Sequence, residues 1–324
     1  MSIPQEIQKS IFAVGGGKGG TGKSFLAANL AIEMGSRQGD VVIIDADLGG
    51  PNLHTLLSVK ENGKDLGEFV RNNASRLEEV MAATPYPGLK IIKGSENSLF
   101  LANLNHLKKL KLIRQIKTLP AQSVILDLGT GSAYNTLDLF VIARPGILVV
   151  TPEPTAVENT YHFLKSCAVR ILKLYARYYK IADLAQKVTE GLESSPSTLR
   201  SFLDGLASRG EPSGQILLAA LKNFKPRLVV NKVRSEKDGL LGSSIIDVVQ
   251  KYFLIEAELL GTIPYDERVH WSLKKFAPFI LEYPESSVSE ALKTIAQKLL
   301  PGRAPNADKN PSPLPGLDHV QKNS

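Results

Sequence analysis

Three groups of residues have the types and spacing to handle a nucleoside triphosphate and its metal. The first is Gly17-Lys18-Gly19-Gly20-Thr21-Gly22-Lys23-Ser24, which fits the pattern of glycine, four residues, glycine, lysine and serine or threonine. Glycines let successive backbone N–H groups turn inward around phosphate oxygens, and a helix that follows points its positive end at the anion. Lys23 then neutralises β- and γ-phosphate charge, Ser24 offers its hydroxyl to magnesium, and Phe25 is the next residue of the nucleotide-contacting set. The second group is Asp45 and Asp47, delivered at the end of the apolar run Val41 to Ile44, where open α/β sheets place ligands. Alternation puts both carboxylates on one side. Beside a triphosphate they repel it unless magnesium or water intervenes, so their tasks are contact with the metal shell, assigned to Asp45, and orientation of an attacking water. A structural cap for the next segment is the competing reading. The third group is Val124-Ile125-Leu126-Asp127, an apolar run closed by an acid that would hold a magnesium-bound water, followed by the flexible Gly129-Thr130-Gly131. Farther along, Asn231 ends the run Leu228 to Val230, and its amide can both donate to and accept from an adenine edge, although a turn-forming asparagine fits the same place.

These groups need elements to hold them. Short apolar runs bounded by glycine or polar residues recur at Ile11 to Val14, Val41 to Ile44, Leu89 to Ile92, Val124 to Leu128, Ile147 to Val150, Leu228 to Val230 and Leu259 to Ile263. They read as buried strands. Helical patterns such as Phe25 to Ser36 and Val157 to Tyr175 lie between them, so the expected fold is α/β with a mainly parallel twisted sheet between helical layers. Residues 1–300 read as one domain. Two stretches break its rhythm: Ile181 to Asn223 reads as a helical insertion, and Pro301 to Ser324, with five prolines at 301, 305, 311, 313 and 315 among polar residues, reads as a disordered tail.

Composition sets outer limits. Of 324 residues, 43% are hydrophobic and 22% charged, the balance of an ordinary globular chain. No run of about 20 apolar residues appears and the first residues lack the order of a signal peptide, which predicts a cytoplasmic protein. Cys167 is the single cysteine, so an intrachain disulfide and a multi-cysteine metal centre are both excluded, and its apolar neighbours predict a buried thiol. A net charge of +7 permits contact with nucleic acid or anionic lipid, while the basic runs Lys108 to Lys117 and Lys165 to Lys180 read as solvated helix faces.

Lys18 is not required for holding phosphate within one subunit, and it marks a subclass. Lys18-Gly19-Gly20-Thr21-Gly22-Lys23-Ser24 resembles the signature of the MinD/ParA family of deviant Walker A P-loop ATPases. Gly261-Thr262-Ile263-Pro264-Tyr265-Asp266 is similar to that family's segment lining the base side of the pocket, which adds Pro264 to the nucleotide contacts. The resemblance implies ATP and Mg²⁺ as ligands, slow hydrolysis to ADP and phosphate, and an ATP-bound homodimer in which Lys18 crosses to the partner's nucleotide and Asp47 positions the hydrolytic water. Phrases such as Pro152-Glu153-Pro154-Thr155 and Ile263-Pro264-Tyr265-Asp266-Glu267-Arg268-Val269 resemble the MinD and FlhG (FleN) branch. That branch implies a switch regulating the placement or number of a flagellum or division site. Its partner would be an FlhF-like GTPase or another regulator, and its location peripheral at the inner face of the cell membrane. Gly50-Pro51 is similar to iron-sulfur carriers of the same superfamily, but Cys167 alone cannot supply their cysteine pair. A ParA-like protein coating DNA and a metabolic ATPase acting on a small substrate are the alternatives. The helix expected over Val288 to Leu300 carries an apolar stripe that fits either the last core helix or a membrane-targeting helix.

Overall fold

In a computed structural model, residues 9–47, 50–60, 63–95, 104–180 and 212–300 are described, with the single positions 186, 190, 201, 204, 205 and 208. Each expected strand forms: β1 (Ser10–Gly15), β2 (Val41–Ala46), β4 (Leu89–Ile92), β5 (Ser123–Leu128), β6 (Gly146–Val150), β7 (Arg227–Val233) and β8 (Glu258–Pro264). One more, β3 (Met81–Ala83), was not expected; three residues on an edge, two of them alanine and none buried, are too short and too weak in strand propensity to stand out as a strand. The whole expected tail and most of the expected insertion lie outside the described residues; the helix Pro212–Lys222 stands at the insertion's end.

By contacts the chain divides into two compact units. Among the described residues, one holds 9–15, 22–129 and 263–300; the other holds 16–21 and 130–262. In the first unit the strand order is β3-β4-β2-β5-β1. β2 runs parallel to both β4 and β5, and β1 runs parallel to β5, while β3 is antiparallel to β4. Every residue of β2 and of β5 is buried, as strands covered on both faces must be, which is why these runs are apolar without alternation. Helix Lys23–Gln38 packs on β1, β2, β4 and β5 and on the last helix, Ser287–Leu299. That last helix turns Val288, Leu292, Ile295, Ala296 and Leu299 inward, so its apolar stripe belongs to the core.

In the second unit the order is β6-β7-β8, with β6 parallel to β7. Helix Pro154–Tyr178 buries Phe163, Leu164, Cys167, Ile171 and Leu172. Cys167 has no exposure, and burial pushes its thiol pKa well up, as a core thiol requires. Arg170 corrects the reading of that helix's basic run as a solvated face: it forks onto the fully buried Asp138, with Nη2 to Oδ2 at 2.9 Å. A carboxylate buried on the neighbouring helix demands such a partner.

Candidate functional site

In the first unit the end of β2 and the end of β5 stand side by side, with Asp45 in register with Asp127. The two differ in how they are satisfied. Asp45 accepts from the backbone N–H of Leu53 at 2.9 Å and of Asp47 at 3.2 Å, so it fastens the turn that leaves β2. Asp127 is equally buried, but neither of its carboxylate oxygens is met by a donor in hydrogen-bonding geometry, although the Ser24 hydroxyl is near enough to favour the ionised form. Desolvation raises Asp45 to about 6 and Asp127 to about 8, and in both the neighbouring acids push the same way. Lys23, first residue of its helix, is buried too; desolvation lowers its pKa, and Asp127 and Asp47 partly restore it. A buried carboxylate without donors, beside a serine hydroxyl and a lysine, has the chemistry of a hard-cation and anion site. Magnesium fits it, with Ser24 and Asp127 as the groups that would hold the ion or its water and Asp45 one layer behind.

Asp47 follows β2 and lies against Gly129, where a Cβ would fall 2.5 Å from Asp47 Oδ1. Only glycine admits the carboxylate there, so close approach, as well as flexibility, explains this residue after β5. Phe25 is buried with its ring edge-on to Phe279, centroids 5.9 Å apart, which leaves its backbone amide at the helix N-terminus as its means of contact with phosphate. Pro264 closes β8, and Asp266 beyond it is forked by Arg268, with Nη2 to Oδ2 at 2.7 Å.

The loop residues Gly17 to Thr21 belong to the second unit. A Cβ on Gly17 would fall 2.1 Å from the carbonyl oxygen of Asn159, so the loop can pass helix Pro154–Tyr178 only as glycine. Gly20 takes a left-handed φ of 76° and Gly22 one of 94°, the conformations that turn a chain sharply around an anion. Lys18 donates to Glu153 Oε2 at 2.6 Å and to Thr155 Oγ1 at 2.8 Å, and this hydrogen bond holds the Glu153 carboxyl below the usual range. Asn231 is buried and donates from Nδ2 to the carbonyl of Thr21 at 2.8 Å, while its Oδ1 accepts from the N–H of Lys232.

A glycine loop leading into a helix that opens with Lys23 and Ser24, and acids in register at the ends of the parallel strands beneath that helix, are the marks of a nucleotide-binding protein of the P-loop class. The comparisons agree: the model of the CobQ/CobB/MinD/ParA nucleotide-binding domain matches residues 12–279, and the chain belongs to that family. It is 22% identical over 292 residues to the antiactivator FleN of Pseudomonas aeruginosa, covering 89% of this chain and 85% of FleN. To the flagellum site-determining protein YlxH of Helicobacter pylori it is 28% identical over 155 residues, 47% of this chain and 52% of that one. Among solved structures it is similar to the septum site-determining protein MinD of Pyrococcus horikoshii complexed with Mg-ADP. That match has a TM-score of 0.62 at 20% identity and covers 90% of this chain and 96% of the other. The fold is therefore the P-loop NTPase fold of MinD and ParA proteins, and the family is one of P-loop ATPases.

Sequence reasoning did not assign Glu153, Thr155, Asn159 or Lys232 to the loop's surroundings. Glu153 and Thr155 stood in a phrase noted only for its resemblance, and Lys232 stood beside Asn231. The signal that could have found Glu153, Thr155 and Lys232 is the polarity of residues just past the end of β6 and in the last residues of β7, at the strand ends where ligands gather in such sheets.

Proposed function

We propose that this chain is a slow ATPase used as a switch: it binds Mg-ATP at Gly17 to Ser24, pairs with a second copy while ATP is present, and separates after hydrolysis. The observation that carries the reading is the buried Asp127 carboxylate left without donors beside Ser24 and Lys23, at the head of a loop that also carries Lys18. In this reading the loop amides and Lys23 hold the β- and γ-phosphates, and Asp47 accepts a hydrogen bond from the attacking water and orients it toward the γ-phosphorus. The metal bound by Ser24 and Asp127 supplies charge neutralisation of the phosphates. Asn231 and Pro264 lie on the base side.

Lys18 is held by Glu153 and Thr155 of its own unit. To serve a nucleotide on another subunit it leaves that carboxylate, an exposed ion pair of the kind worth at most about 1 kcal/mol. Pairing can therefore draw it away at little cost. YlxH is named for determining the flagellum site and MinD for determining the septum site, which supports a role in setting the place or number of a cellular structure, acting through a protein partner such as an FlhF-like GTPase. No described helix is long and apolar enough to cross a membrane.

The P-loop assignment is tested with Lys23→Ala. The variant should lose Mg-ATP binding in calorimetry, with affinity down by at least about a hundredfold, since a buried charge-assisted contact to phosphate is removed. Equal affinity of the two proteins would refute it.

A further inference from the structure

Two consecutive residues at the end of β7 each reach one of two consecutive carbonyls of the glycine loop. Asn231 Nδ2 donates to the Thr21 carbonyl at 2.8 Å, and Lys232 Nζ donates to the Gly20 carbonyl at 2.9 Å. All four residues lie in the second unit. Lys232 adopts a left-handed φ of 61°, which an L side chain with a Cβ takes only at a cost. That kink brings its own N–H onto Asn231 Oδ1 at 2.9 Å, which fixes the asparagine amide with its N–H₂ end toward the loop.

Stability does not account for this arrangement. Lys232 is exposed, and an exposed ammonium on a neutral carbonyl contributes little to folding, too little to justify a strained backbone. The geometry acts on the loop. If loop N–H groups are to face a phosphate, the carbonyls of the same peptides must face outward and find partners there. The Gly20 carbonyl shares its peptide with the Thr21 N–H, and the Thr21 carbonyl shares its peptide with the Gly22 N–H. A donor on each carbonyl polarises the peptide and makes its N–H a stronger donor.

We propose that Lys232, acting with Asn231, is a positioning residue that holds the Gly20 and Thr21 carbonyls outward and so prepares the Thr21 and Gly22 amides for the phosphates of a bound nucleotide. The inference rests on the nucleotide reading above and gives Lys232 a role in it. Diphosphate and triphosphate both meet these amides in the ground state, so the effect falls on binding and not on the chemical step.

The test compares wild type, Lys232→Met, Lys232→Arg and Lys23→Ala in the full chain, measuring Kd for Mg-ADP, KM and kcat for Mg-ATP, and the melting temperature without nucleotide. Lys232→Met should raise Kd and KM about tenfold, the order of one charge-assisted hydrogen bond, with kcat within about twofold and an unchanged melting temperature. Lys232→Arg, which keeps a cationic donor, should recover most of the affinity. If Lys23→Ala loses Mg-ADP while Lys232→Met binds it as wild type does, the positioning role falls and the nucleotide site stands. A fall in kcat at constant KM, or a lowered melting temperature with unchanged Kd, overturns it as well. Failure of wild type itself to bind either nucleotide would remove the reading beneath it.

Discussion

Asp45 and Asp127 are neighbours across parallel strands and are both buried, yet their physical situations differ. Asp45 is held by two backbone amides, whereas no donor meets the Asp127 oxygens in hydrogen-bonding geometry, and desolvation raises its pKa to about 8. The sign of the consequence follows from linkage. An acid whose pKa is higher in the folded than in the unfolded chain contributes stability below its unfolded value of 3.8, and that contribution is lost as pH rises through about 8. Nucleotide-free, metal-free protein should therefore lose stability across that window, and Asp127→Asn, which cannot ionise, should lose less. Denaturant unfolding of both proteins at several pH values measures the difference in slope. Mg²⁺ added at the upper end should restore part of the wild-type loss and none of the variant's, since the cation favours the carboxylate. Parallel slopes in the two proteins would show that Asp127 is not the desolvated acid described.

At the scale of elements, much was legible because the apolar runs that become β2 and β5 are buried on every residue, and such runs announce themselves without alternation. The loop from Gly17 to Ser24 was legible because phosphate-binding geometry leaves few residue choices. The three-residue edge strand β3 was not, nor was the pairing of Arg170 with Asp138, because a basic residue looks the same in sequence whether water or a buried acid receives it. Burial also settles the last helix. Ser287–Leu299 packs its stripe against helix Lys23–Gln38, so Leu292→Ala should destabilise the protein by about 2–5 kcal/mol, the cost of deleting buried methylenes. Thermal unfolding measures it. A stripe that served as a detachable membrane anchor would instead leave stability unchanged and reduce sedimentation with anionic vesicles.

At the scale of the whole molecule, the central claim is that ATP makes two chains into one assembly and that Lys18 is the residue that senses the second nucleotide. Lys18 has a resting place on Glu153 and Thr155, and in the proposed reading Lys23, Ser24 and Asp127 serve the nucleotide of their own chain. Holding ATP and pairing should then be separable by mutation. Hydrolysis would hide the paired form, so the protein to use is Asp47→Ala, which should bind ATP and not turn it over. The most direct measurement is its solution mass with Mg-ADP and with Mg-ATP, beside the Asp47→Ala, Lys18→Ala double variant. A mass that doubles with Mg-ATP alone, and only while Lys18 is present, is the result this account predicts. A single-chain mass for Asp47→Ala in every condition, with ATP bound, would contradict the switch and leave an ATPase that works as one subunit.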